Sequence, residues 1–170
     1  MKHIMGMMSR STLTNVQNDD VQPNAVDLRL DKVFKIKKDV FEISNEYKKH
    51  RGTEYELKPD SQGYFVLEPG DYEVVMENII NVAEGEAGWV ITRSTLNRNG
   101  LFITSGLYDS GYAGTMAGVL HVGIGIARIK KGTRIGQYLS FDAEALHQYD
   151  GSYGFDKDGK PKEDEKKYHE

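Results

Sequence analysis

Arg93, Ser94 and Thr95 on one side of a turn, and Asp109 on the other, are the residues of this chain best suited to chemistry on phosphate. All lie in the stretch GWVITRSTLNRNGLFITSGLYDSGYAG (88–114). A guanidinium is planar and holds two oxygens of an anion at once, and Ser94 and Thr95 add hydroxyl and backbone donors beside it. Asp109 sits in a Gly-Tyr hairpin, Leu107 to Tyr112, whose backbone amides and carbonyls can meet the edge of a planar base. A carboxylate held near a bound water orients it or acts as a general base. Together these parts point to an enzyme that holds a nucleotide and activates water. Each also has a structural reading: Arg93 as an exposed strand end beside a Ser-Thr helix cap, and Asp109 as a turn carboxylate followed by a surface Tyr.

These residues need a scaffold of short strands. NAVDLRLDKVFKI (24–36) alternates Val26, Leu28 and Leu30 against Asp27 and Arg29, as a half-buried strand does. The polar residues 9–20 have room for one short helix, and the charged stretch 44–61 reads as a surface excursion with at most short strands. Extended structure is expected at 64–67 and, after the Pro69-Gly70 turn, at 72–77. A strand over 88–92 places Trp89 in the core. RSTLNR makes a helical turn, Asn99-Gly100 a reversal, and Leu101 to Thr104 resumes the strand. GVLHVGIGIARI alternates across a strand pair within 115–129, and TRIGQYLSF (133–141) is the last strong strand. The first eight residues, MKHIMGMM, carry no pattern. Three parts result: an N-terminal segment (1–20), a β domain (21–148) and a Gly-, Lys- and acid-rich C-terminal tail (149–170), solvated by composition.

Composition narrows the classes. One domain with an ample core fits 170 residues, and 18 glycines with 10 tyrosines favour a turn-rich all-β protein. The absence of cysteine excludes disulfides, thiolate metal sites and a Cys nucleophile. No run approaches the ~18 apolar residues of a membrane span, and no signal-peptide core is visible, so a cytoplasmic protein is expected. A net charge of -4 argues against a nucleic-acid surface. The histidines, His3, His50, His121, His147 and His169, lack zinc-ligand spacing.

In order, VQPNAVDLRL (21–30), LEPGDYEVVMENIINVAEGEAGWV (67–90), RSTLNRNGL (93–101), GLYDSGYAG (106–114) and KGTRIGQYLSF (131–141) resemble the motifs of the trimeric dUTPase and dCTP deaminase superfamily. The resemblance implies a jelly-roll, or distorted β-barrel, subunit with a short helical turn and a flexible tail. It also implies a homotrimer with active sites between subunits. Asp109 would position the water that attacks the α-phosphorus. Arg93, Ser94, Thr95 and Gln137 would hold phosphates, although Gln137 reads equally well as a polar residue on a solvent face. Gly106 and Leu107 would read the pyrimidine through their backbone, Arg98 would line the base or phosphate side, and Tyr112 would pack on the deoxyribose. Tyr153 would close over the base when the tail folds down. Magnesium is the implied cofactor. Asp27 would lie near it through water, or would simply accept a structural hydrogen bond.

The superfamily's two chemistries part at one residue. Its deaminases carry a Glu on the strand after the third motif, where proton shuttling to the leaving amine needs a carboxyl group. Val119 stands there, and His121, on the same face by parity, is the nearest titratable group. The expectation is therefore a deoxyuridine triphosphate diphosphatase, releasing dUMP and pyrophosphate. The alternatives are a dCTP deaminase, mono- or bifunctional, and a non-catalytic nucleotide-binding trimer.

Overall fold

Side chains alternate across a strand, and in this chain the alternation decides which residues meet in the core. A computed structural model describes residues 2–4, in backbone only, and 8–169. Its strands are β1 (Lys2–Ile4), β2 (Thr12–Leu13), β3 (Val26–Ile36), β4 (Glu42–Ile43), β5 (Lys48–Lys49), β6 (Thr53–Glu56) and β7 (Tyr64–Leu67). They continue with β8 (Gly70–Asn81), β9 (Glu86–Thr92), β10 (Leu101–Thr104), β11 (Ala113–Val122), β12 (Ala127–Lys130) and β13 (Arg134–Asp142). One turn of helix, α1 (Ser94–Asn97), separates β9 from β10. No helix among the described residues is long and apolar enough to cross a membrane.

The main sheet runs β1-β13-β3-β8-β11-β10, with β9 on the other edge of β13. β9 then reaches β10 through the Gly88–Tyr108 bridge and through Thr92 Oγ1, which accepts from the Ile103 amide at 2.7 Å. The sheet is thereby nearly closed, the barrel-like all-β architecture expected from the motifs. Leu28, Leu30, Val74, Ile80, Met116, Leu120 and Ile135 fill its interior with no exposed surface. In β3 the inward parity passes from Leu28 and Leu30 to Val33. The register shifts between Leu30 and Lys32 account for this, since a bulge inserts one residue and turns the strand over.

Several expectations are corrected. Residues 9–20 hold no α-helix: Thr12–Leu13 pairs with β8, and only a 3-10 turn forms at Asn18–Asp20. Lys2–Ile4 is a strand on β13, whereas residues 1 and 5–7 of the unpatterned start lie outside the described residues. Trp89 is not core. Val90 takes the inward position, so Trp89 faces out, half-buried and stacked on Phe141 at 4.5 Å. The C-terminal segment is packed rather than solvated: Glu165 is fully buried and Tyr168 nearly so. Composition counts its charges but cannot show that Lys48 meets Asp164 at 2.6 Å, or that Lys167 meets Glu73 at 2.7 Å.

Candidate active site

Register brings the first cluster together. β3 and β13 pair so that Gln137 lies opposite Asp27, and Arg93 follows directly on β9, the other neighbour of β13. Asp27 has no exposed surface. Its Oδ1 accepts from Gln137 Nε2 at 2.9 Å. Its Oδ2 has no hydrogen-bond partner but faces Arg93 Nε at 3.4 Å and Arg134 Nη1 at 3.6 Å. A buried carboxylate persists only when its charge is compensated, and here two guanidiniums compensate it from the solvent side. Arg93 Nη1 also donates to the Arg134 carbonyl at 3.2 Å, so the guanidinium of this half-exposed side chain is fixed through Nε and Nη1. Ser94 and Thr95 open α1, both exposed, and neither hydroxyl caps the turn. Arg98 is exposed at the end of the same turn. Asp27 is thus a counter-ion faced by two cations. Among the described residues no group of three His, Asp or Glu side chains is placed to hold an ion.

The hairpin forms the second cluster. Tyr108 is buried and bridges Gly88 in both directions, at 2.7 and 3.0 Å. The Tyr112 amide donates to the Asp109 carbonyl at 3.0 Å, with Gly111 at φ 80°, a conformation that glycine adopts without strain. Tyr112 is buried, and its hydroxyl donates to the Thr115 carbonyl at 2.9 Å. Burial pushes its phenol pKa far up, helped by the charge of Glu165. Asp109 stays exposed, and its carboxylate has no partner among the described residues. Gly106 and Leu107, also exposed, rim a cleft of about 650 Å³ whose walls include Tyr112, Thr115, Val119 and Tyr153. Asp109 borders a neighbouring hollow of about 480 Å³, which shares Leu107 and Tyr149 with the cleft.

The two clusters are not brought together within one chain. The hairpin meets β9 at Gly88, and Arg93 lies past the other end of that strand. Five strand residues at roughly 3.3 Å each separate them by about 16 Å. Val119 pairs with Glu73 across the ladder and lines the cleft. His121 is engaged elsewhere, stacked on Phe102 at 4.3 Å and joined to Asp71 at 2.6 Å.

A model of the dCTP deaminase-like family matches residues 3–142. The chain belongs to that family. Within it, the chain is 32% identical over 143 residues to a probable deoxyuridine 5'-triphosphate nucleotidohydrolase of Halobacterium salinarum, covering 81% of this chain and 85% of the relative. Its fold is similar to that of the 2'-deoxycytidine 5'-triphosphate deaminase of Agrobacterium tumefaciens, with a TM-score of 0.60 and 17% identity over 77% of this chain. The match spans only 43% of that deaminase chain. The Staphylococcus bacteriophage 80alpha dUTPase aligns with a TM-score of 0.50 and 14% identity, covering 83% of this chain and 95% of that one.

Within this family frame, motif reading missed Arg134 and Glu165. Arg134 lies inside the quoted KGTRIGQ segment, three residues before Gln137, but only the β3–β13 register shows that it faces Asp27. Glu165 lies in a charge-rich tail, and nothing in its neighbours marks it for burial.

Proposed function

We propose that this chain is a deoxyuridine triphosphate diphosphatase, converting dUTP and water to dUMP and pyrophosphate. The observation that carries the reading is the state of Asp109. A structural turn carboxylate accepts a nearby amide, whereas this one stands exposed at a rigid hairpin tip with no partner among the described residues. The nucleotidohydrolase name of the Halobacterium relative supports it. Deamination has no such observation: Val119 cannot carry a proton, and His121 is held by Asp71.

In this reading the backbone of Gly106 and Leu107 meets the uracil edge. Tyr112 packs on the deoxyribose, Arg98 lines the pocket and Tyr153 covers the base. Asp109 orients a water and takes its proton as the oxygen adds to the α-phosphorus. The bond from that phosphorus to the bridging oxygen breaks, and pyrophosphate leaves with the electron pair. Arg93, anchored by Asp27 and the Arg134 carbonyl, holds phosphate oxygens with Ser94 and Thr95. Magnesium, when bound, would supply charge neutralisation on the triphosphate rather than occupy a protein cage, because Mg²⁺ keeps several waters and leans on substrate phosphates. The 16 Å between the clusters is closed by a cytoplasmic homotrimer, in which the hairpin of one copy faces Arg93 of the next.

The test is Asp109→Asn, assayed with dUTP and magnesium by chromatography of products. Hydrolysis should fall about 10²- to 10⁴-fold while dUTP binding survives. Unchanged turnover would remove Asp109 from the mechanism.

A further inference from the structure

Among the described residues, Glu165 is, with Asp20, a fully buried acid that the proposed reaction does not use. It has no exposed surface. Its Oε1 accepts from the Thr115 amide at 2.8 Å, and its Oε2 accepts from the Gly154 amide at 3.0 Å. His169 Nε2 approaches the same carboxylate at 3.2 Å and Thr115 Oγ1 at the same distance. The site of attachment is particular. β10 pairs with β11 only from Val119 to Val122, so at Thr115 that edge of β11 has no strand among the described residues beside it and its amide needs another acceptor. The tail carboxylate supplies the acceptor for that amide. On its other side the Thr115 peptide receives the Tyr112 hydroxyl. Glu165 and Tyr112 therefore grip the two ends of one residue.

The backbone contacts repeat this pattern. Gly154 crosses β11 so closely that a Cβ on Gly114 would stand 2.5 Å from Gly154 Cα. Phe155 N donates to the Ala113 carbonyl at 2.6 Å, and Tyr149 N donates to the Ser110 carbonyl at 2.8 Å. The Tyr149 ring packs edge-on against Tyr112 at 5.2 Å. With the segment docked in this way, the 650 Å³ cleft is still open, and Tyr149, Tyr153, Asp164 and Tyr168 form part of its wall. The segment builds the cleft rather than filling it.

We propose that Glu165 is a positioning residue for sugar selection: it locks the C-terminal segment onto the open edge of β11 at Thr115 and so fixes Tyr112 at the place where a 2′-hydroxyl would have to fit. This rests on the dUTP reading, in which Tyr112 carries the deoxyribose. Glu165 does not touch substrate; it acts through Thr115 and Tyr112. Removing it frees the Thr115 amide, loosens Tyr112 and admits a ribonucleotide.

The experiment compares kcat/KM for dUTP and UTP in the native protein, Glu165→Ala and Glu165→Gln. Glu165→Ala should lower the dUTP-to-UTP ratio about tenfold, chiefly by raising KM for dUTP and admitting UTP, with kcat for dUTP little changed. Glu165→Gln keeps the shape and one acceptor, and should recover part of the ratio. A folded Glu165→Ala protein with the native ratio overturns the proposal, because loss of stability alone would scale both substrates together. If the alanine variant does not fold, Glu165→Gln decides in the same assay, and amide exchange at Thr115 and Gly154 must then be faster than in the native protein. Native protein inactive on dUTP overturns the diphosphatase reading and this proposal together. Native activity with an unmoved ratio overturns this proposal alone.

Discussion

At the scale of the residue, the site is organised by which carboxylates are satisfied and which are left open. Asp27 is buried and compensated, Glu165 is buried and bonded to two backbone amides, and Asp109 is exposed with no partner among the described residues. Three acids on one scaffold thus have three fates, set by register and burial rather than by residue type. Asp27 acts through Arg93, so its loss should appear in both stability and binding. Asp27→Ala removes the acceptor for Gln137 and leaves two guanidiniums facing an apolar gap. It should cost about 2 kcal/mol of stability and raise KM for dUTP more than it lowers kcat. A thermal melt together with steady-state kinetics checks this, and a KM equal to the native value would limit Asp27 to a structural role.

At the scale of the element, β9 and β11 do most of the positioning. β9 carries the hairpin's anchor at one end and Arg93 at the other, so its length sets the spacing of the two halves of the site. β11 carries the uncovered edge at Thr115 to which the C-terminal segment is fastened. The crossing at Gly114 has no room for a side chain, since its Cβ would meet backbone at Gly154 and the Tyr112 hydroxyl at 2.6 Å. Gly114→Ala should therefore displace the segment at a cost of about 1–3 kcal/mol. Protease nicking within 149–169 that leaves the β domain intact is the expected sign. Native resistance to protease would mean that the strand yields instead of the segment.

For the whole molecule, the separation of Asp109 from Arg93 makes oligomerisation part of the proposed catalysis. Closed cyclic assemblies repeat one heterologous contact, so each copy would lend its Arg93 to a neighbour's hairpin. Asp109→Asn and Arg93→Ala should each be nearly inactive as pure assemblies. Co-expressed, they should recover activity, because some mixed trimers pair an intact hairpin with an intact Arg93. If the mixture stays as inactive as its parents while forming mixed assemblies, the site lies within one chain and the trimer reading fails.

Much of this was legible in residue order. The strand pattern, the Asn-Gly and Pro-Gly reversals, the helical turn at 94–97 and the hairpin around Asp109 all follow from local periodicity and turn chemistry, which act over a few residues. The motif order pointed to the family that the comparison found. Local pattern failed where partners are distant in sequence. Trp89 has the composition of a core residue but the parity of a surface one, and parity depends on which neighbour the sheet buries. The C-terminal segment looks solvated because charge is visible in sequence while its neutralisation is not: Asp164 finds Lys48, and Glu165 finds two amides, only after the chain has closed on itself. The sequence alone determined which chemistry is present and on which turns it stands. The tertiary structure decided which acid is free, which is a counter-ion and which is a fastener, because those fates depend on burial and on long-range hydrogen bonds.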